Sequence, residues 1–463
     1  MARTKVQVQV HQLKLPQDER TVFLGGAVVK KYRIPTNQPL HLRFGSARAE
    51  VQVAAVSRSS SLRLAPSLAA KLGIHNGLQL CLVYRPGTRT LHIGPLIGVM
   101  VPRVYRKRPD RLFGSITAFS RELTDACATY GAHVFFMIPE DIHGNANSVA
   151  GWTWNGGWVR RTFPVPDVVY NRLTSRKYEN MPNVQQFMKD VKSRHGATVF
   201  NEKYLNKTEV FDALGQEESL RGLLPESHLL KNYQMLKSMS SRHSVLFLKP
   251  ITGSLGKGII LLRKDAGGGY SVHYAGVTAT RKQSFRSLPD AFKVLSGKLK
   301  AQRYQIQQGL QLISVGGRPV DFRALVQRDE TGAWSITSIV GRIAGESHFV
   351  SNLARGGTLS TVPAALAKSN LGAGMRASVL AKLRRSALAI AQGIESKIDA
   401  HFAELGIDLA VDTKGKVWLL EVNSKPSKDD NTPLAASEEE RKESKIRPSV
   451  KRIVKYCRHA AHL

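Results

Sequence analysis

GIDLAVDTKGKVWLLEVNSKP, residues Gly406 to Pro426, decides how this chain is read. Two apolar runs flank Lys414-Gly415, a pair suited to a two-residue hairpin turn. Such a turn predicts Asp408 opposite Glu421. Alternation then puts Asn423 and Leu419 on the face of Glu421, and Leu420 and Val422 on the other. Two carboxylates and an amide oxygen so gathered make an oxygen-rich site suited to Mg²⁺ shared with phosphate groups. The competing reading is a solvated polar strand face. Apolar residues on both faces argue against it, because buried carboxylates need partners.

Upstream stands LFLKPITGSLGKGIILL, Leu246 to Leu262. An apolar run ends at Lys249-Pro250, and Gly253, Ser254, Gly256, Lys257 and Gly258 lead into a second run. Glycines permit close backbone approach and positive φ, so consecutive N–H groups can converge on phosphate oxygens. The stretch is not a P-loop, because Gly258 follows Lys257 where Ser or Thr is required. Nor is it kinase-like, since Asp321-Phe322-Arg323 replaces the Asp-Phe-Gly of kinases. A phosphate-holding loop and a plain hairpin between two strands both fit. A third stretch, GRIAGESHFVSNLARGGTLSTV (Gly341–Val362), carries Arg342, Asn352 and Arg355. Arginine suits a transferring phosphoryl group, and a basic surface loop is the alternative.

Around these stretches the chain has 463 residues, 42% of them hydrophobic. At about 100–200 residues per domain, roughly two to four domains are expected. Residues 1–95 read as short alternating strands with a Pro-Gly turn, the pattern of a small β-barrel. Residues 96–205 alternate strands and helices and predict an α/β domain. Residues 206–463 are mixed α+β, with a long helix at Arg376–Ile398. The charge is unusual: 68 Lys+Arg against 35 Asp+Glu, a formal +33. That field favours polyanions such as an acidic polymer or peptide. Basic clusters occur at Arg103–Arg111 and Ile446–His459, with no zinc-finger, RNP or homeodomain pattern to suggest specific nucleic-acid recognition. Ser437–Lys445 reads as an exposed charged helix face. Cys81, Cys127 and Cys457 are far apart and form no CxxC. Cys457, His459 and His462 lie close together near the C-terminus but read better as a helix tail than as a metal site. No signal-peptide core and no apolar run of about 18 residues is present, so a soluble, cytoplasmic protein without a membrane span is expected.

Lysine strand, glycine loop, apolar hinge and carboxylate–Asn hairpin, in this order, resemble the ATP-grasp superfamily over about residues 200–460. The resemblance implies ATP and Mg²⁺, two ions, as cofactors. It implies that Lys207 in LNKTEVFDAL and Lys249 meet the nucleotide. Gly253, Ser254, Gly256 and Gly258, with Lys257 among them, match the mobile phosphate loop. Gln307 and Leu310 match the adenine hinge, where Gln308 replaces the usual Glu. Arg323 and Arg342 match the arginines near the transferring phosphate, and Asp408, Glu421 and Asn423 the metal ligands. Within the superfamily, LPES at Leu224, KPITGSLGKGI and the β-rich N-terminal region are most similar to the endospore coat-associated YheC/YheD type. That match implies a role in bacterial spore formation and leaves the carboxylate and amine substrates open. The implied reaction is ADP-forming carboxylate–amine ligation through an acylphosphate. A non-catalytic spore-coat or polyanion-binding protein that keeps an ATP site is the alternative. A nucleic-acid ligase with a KxDG nucleophile is excluded, since the chain has no Asp-Gly dipeptide.

Overall fold

The computed structural model describes residues 4–11, 19–56, 61–143, 147–252, 258–275, 280–345, 357–427 and 446–463. Alternation in Thr4–Val10 and Ala47–Val56 sends Val6, Val8, Val51 and Val53 inward. These two strands join Thr21–Gly25, Leu40–Phe44, Ser61–Leu64, Gln79–Arg85 and Thr90–Gly94 in a closed barrel. The N-terminal β-barrel expected from the sequence is therefore present. The helix Gly26–Tyr32 was not expected; it begins directly where the strand Thr21–Gly25 ends, and no polar break marks the change.

The next sheet has the parallel strands Leu96–Met100, His133–Met137, Val168–Asn171 and Thr198–Phe200. The hairpin Ser148–Trp154/Trp158–Pro164 extends it on one side. The central strands are buried along their whole length because both faces are covered. Phe135 and Met137 pack into the barrel's core. Val134 and Phe136 face the other way, toward the helix Thr117–Tyr130. The C-terminal helix Pro448–Ala460 packs on that same side through Val450, Ile453, Val454 and Cys457, so the chain's end returns to the middle sheet. Spacing of three and four residues gives this helix one apolar stripe. Cys457 lies on the stripe, fully buried, which makes CRHAAH a helix end with its thiol in the core.

Two antiparallel sheets complete the fold. The first runs in the order Ser227–Leu229, Tyr304–Gln308, Val245–Pro250, Ile260–Lys264, Tyr270–Ala275, Thr280–Phe285. Period two divides the Val245–Pro250 strand cleanly. Leu246 and Leu248 pack with Leu236 and Leu295 of two covering helices, while Val245, Phe247 and Lys249 line a cleft. The second sheet runs Thr358–Thr361, Trp334–Ile343, Arg318–Arg328, Glu404–Val411, Val417–Asn423. Its rear carries Phe322, Ala324, Ile407 and Leu409 against the helix Arg376–Lys397. Its front carries the charged residues. The cleft opens between the two sheets.

Candidate active site

The cleft has a volume of about 660 Å³. On one wall stand Phe247, Lys249, Leu261 and Gln307, and Leu310 lies where the two sheets meet. On the other stand Asp321, Arg342, Asp408, Leu420 and Glu421.

The Val245–Pro250 and Ile260–Lys264 strands are antiparallel neighbours, so the glycine stretch does connect a hairpin. Nine residues separate the two strands, from Ile251 to Ile259. That is far beyond a tight turn. Gly258 has φ +72, and a Cβ there would stand 3.1 Å from Pro250 Cγ, so the conformation and the tight space at the loop's return both favour glycine. Gly253, Ser254, Gly256 and Lys257 lie outside the described residues, as do Asn352, Arg355 and the Ser437–Lys445 charge run.

Lys249 donates from Nζ to Gln307 Oε1. The Gln307 amide nitrogen in turn donates to Ser227 Oγ at 2.8 Å. Burial, with Lys207 nearby, pulls the Lys249 ammonium down to about pKa 8, against the opposing pull of Glu421, Asp408 and Asp321. Lys207 is the first residue of the helix Lys207–Gly215, whose N-cap Asn206 accepts from Thr208 N. Its ammonium reaches Glu421 Oε1 at 3.1 Å. At the hinge, Gln308 Oε1 accepts from Glu226 N at 2.7 Å, and Gln308 N donates to Glu226 O at 2.9 Å. The LPES segment is thereby fastened to the hinge strand.

Asp408 is directly opposite Glu421. The route to that pairing differs from the expected two-residue turn. Asp412 N bonds Lys416 O, which leaves a three-residue loop, Thr413 to Gly415, with Gly415 at φ +74. Nearer the site, an irregularity between Asp408 and Leu409 leaves Leu420 unpaired, shifting the register back by one. The bulge also reverses the expected faces. Leu419 joins Val422 in the core, while Leu420 lines the cleft beside Glu421. Asn423 sits opposite Gly406, half-buried, and outside the residues lining the cleft.

The arginines form a buried lattice with carboxylates on neighbouring strands. Arg323 grips Asp408 with Nε and Nη2, the latter at 2.9 Å. Arg342 grips Asp321 at 2.6 and 2.8 Å and reaches Asp408 Oδ2 at 3.0 Å. Burial would raise the Asp408 carboxyl, but Arg323 and Arg342 outweigh it and hold it at about 2. Burial likewise opposes the charge on Arg342, and Asp321 with Asp408 pushes its pKa above the usual arginine value. Asp321 was not singled out in the sequence as a site residue. The available signal was Asp321-x-Arg323 on an otherwise apolar strand, which puts two charges on one face.

Next to the site, the segment after Asn423 is fastened to the middle sheet, with Pro426 beside Gly406 and Arg323. Asn201 Nδ2 donates to Ser424 O at 2.6 Å and Arg172 Nη1 to Pro426 O at 2.9 Å. Lys425 forms a buried ion pair with Glu179. Glu179 also accepts from Asn171 Nδ2 and Tyr204 N.

Two antiparallel sheets closing on a cleft, with Lys249 on one wall and Asp408 and Glu421, the latter paired with Lys207, on the other, define an ATP-grasp protein. The YheC/D-like ATP-grasp family matches residues 196–459, and the chain belongs to that family. It is 30% identical to the endospore coat-associated protein YheD of Bacillus subtilis over 351 residues, 73% of this chain and 74% of that one. It is 22% identical to the endospore coat-associated protein YheC of the same organism over 316 residues, covering 67% and 85% of the two chains. Among solved structures, the D-alanine–D-alanine ligase of Bacillus anthracis in complex with ATP aligns at 11% identity and TM-score 0.44, covering 80% of this chain and 99% of that one.

Proposed function

We propose that the protein is an ADP-forming ligase that activates a carboxylate with ATP for attack by an amine. One observation carries this reading: the cleft gathers Lys249, Arg342, Asp408 and Glu421 from four separate segments, and Lys207 from a fifth holds Glu421. Phe247, Leu261 and Leu310 offer an apolar slot for adenine, and Lys249 and Lys207 offer charge to the phosphates. Asp408 and Glu421 supply carboxylate oxygens from adjacent strands, a donor set that fits Mg²⁺; Asn423, outside the cleft lining, joins that set only if its side chain turns toward the cleft. The metal, when bound, offsets the phosphate charge during transfer. In this reading Arg342 supplies positive charge to the incoming carboxylate and the transferred phosphoryl, its plane fixed by Asp321, while Arg323, buried and outside the cleft lining, acts through its grip on Asp408.

In the proposed reaction the substrate carboxylate oxygen attacks the γ-phosphorus and ADP leaves. The amine then attacks the acyl carbon, phosphate leaves, and the nitrogen loses a proton. No covalent protein nucleophile takes part. The lysines and arginines act by position and charge. We further propose that the reaction serves the spore, as the names of the two relatives suggest. No helix among the described residues is long and apolar enough to cross a membrane.

Calorimetric titration with Mg·ATP, followed by phosphate release screened over amino acids, peptides and acidic polymers, tests the reading. No binding at millimolar nucleotide would sink it. The coat-association in the relatives' names supports a second reading, a structural protein that keeps its nucleotide. It predicts tight Mg·ATP binding with no acceptor-dependent phosphate release.

A further inference from the structure

The middle sheet has a topological switch point. From Leu96–Met100 the chain crosses by the helix Thr117–Tyr130 to a strand on one side. From the adjacent parallel strand Val168–Asn171 it crosses by the helix Pro182–His195 to a strand on the other. Met100 and Asn171 are paired at the carboxyl ends of these two strands. In open parallel sheets, ligands bind outside such a point.

One side of this edge is the segment RVYRKRPDR, Arg103 to Arg111. Arg103, Arg106, Lys107, Arg108 and Arg111 are all exposed. Asp110 is the single acid among them, and none of the five forms an ion pair with a described residue. Elsewhere exposed cations do find partners, as Arg160 does with Asp141 and Arg242 with Glu226. The segment is held in shape. Tyr105 N donates to Leu112 O at 2.7 Å, Arg108 N to Tyr105 O at 2.8 Å and Arg111 N to Arg108 O at 2.9 Å. Arg103 lies over the Tyr105 ring, and Phe113 anchors the end in the core against Trp158. Five positive charges displayed in a fixed array repel one another, and an anionic partner relieves that repulsion.

The other side of the edge leads to the segment that leaves the carboxylate hairpin. Arg172 N donates to Met100 O at 3.0 Å, and the Arg172 guanidinium donates to Pro426 O, three residues beyond Asn423. The basic segment therefore begins three residues past Met100, which two hydrogen bonds through Arg172 join to the exit of the carboxylate hairpin. We propose that Arg103–Arg111 is the docking surface for an acidic peptide, a chain of several carboxylates, one of which enters the cleft as the substrate carboxylate. This rests on the ligase reading above. A nucleic acid would meet the charge but brings no carboxylate to activate.

The test uses the full chain without nucleotide and fluorescein-labelled octaglutamate, read by anisotropy. Arg106→Ala/Lys107→Ala/Arg108→Ala is compared with a charge-matched control, Lys237→Ala/Lys293→Ala/Lys300→Ala, whose three lysines are exposed on the helices covering the first cleft sheet. The loop variant is expected to bind about tenfold or more weakly and to lose much of its salt dependence, with the control within about twofold of the parent. Equal weakening in both variants would reduce the effect to diffuse charge and overturn the proposal. So would absence of octaglutamate binding, or tighter loop-dependent binding of octathymidylate. Mg·ATP titration of both variants runs alongside. Octaglutamate docking on the loop with no Mg·ATP binding in the parent would instead defeat the ligase reading and leave the surface standing.

Discussion

Replacing Asp408 by Asn removes one charge, strands Arg323 and leaves Arg342 with Asp321 alone. Asp408 is 7% exposed and accepts from Arg323 through both oxygens and from Arg342 through one. Its carboxyl is held at about 2 against an ordinary 3.8. That difference corresponds to about 2 kcal/mol of native-state stabilisation. The sign follows from a depressed pKa: the contribution is complete above 3.8 and is lost as pH falls through about 2. No change is expected from this group between neutral pH and about 5. The substitution should cost more than the titration, because it leaves the buried Arg323 without a counter-charge, a loss of about 3–5 kcal/mol for a broken buried pair. Arg342 keeps Asp321, so the lower end applies, about 3 kcal/mol. Native-state hydrogen exchange of peptides spanning Glu404–Val411 and Arg318–Arg328 should then accelerate by about 100-fold, while barrel peptides around Val6 and Val8 stay unchanged. Adding Arg323→Gln should recover part of the loss. Acceleration under about threefold, or an equal effect in the barrel, would refute the view that this ion lattice holds the second sheet.

Other substitutions separate binding, chemistry and support. Glu421→Gln keeps the size of the side chain and removes a charge from the proposed metal set. Phosphate release with an acceptor should fall by orders of magnitude while the melting temperature stays near the parent's. Lys249→Ala should weaken Mg·ATP by about 1.5–3 kcal/mol in a calorimetric titration. Because burial depresses Lys249 to about 8, part of the population is neutral at pH 8.5, and nucleotide binding should take up protons. Titrations in two buffers of different ionisation heat read that uptake directly. Glu179→Gln should lower the melting temperature by leaving Lys425 buried and charged. Burial, opposed by Glu179, already holds Lys425 at about 8, below its unfolded value of 10.5. Stability tied to this lysine therefore rises with pH between those values, and the penalty should be smaller at pH 9 than at pH 7.

Local pattern made most of the architecture legible, and the exceptions have physical causes. The helices ending at Gly131 and Gly196 stop where glycine takes the left-handed conformation, a signal written in single residues. The strands Tyr270–Ala275 and Thr280–Phe285 carry little signal in the sequence because the pair is largely half-exposed, with only Ser271 and Val272 buried. The helix Leu288–Ala301 had an N-cap serine and a first-turn proline to announce it. The carboxylate hairpin is more instructive. Asp412 accepts from Lys414 N and Lys416 N, and Gly415 takes positive φ, so DTKG encodes a three-residue loop rather than a two-residue one. The adjacent leucines Leu419-Leu420 break strict alternation, and that break is the bulge. Each departure shifts the register by one in opposite senses, so Asp408 still meets Glu421.

What no window of sequence carries is the lattice itself. Period two puts Asp321 and Arg323 on one face of their strand, and it does the same separately for Arg342 and Asp408. Whether four such charges neutralise one another depends on the order of three strands and on two registers, set by residues 85 positions apart for Arg323 and Asp408. Once the sheet is assembled, each carboxylate lies opposite a guanidinium, and burial turns a costly set of charges into a rigid one. The same assembly leaves Glu421 and Lys207 at the half-open border of the lattice, where both stay close enough to the cleft to answer to an incoming ligand. Chemistry is therefore expected to depend more steeply on Glu421 than stability does, and stability more steeply on Asp408.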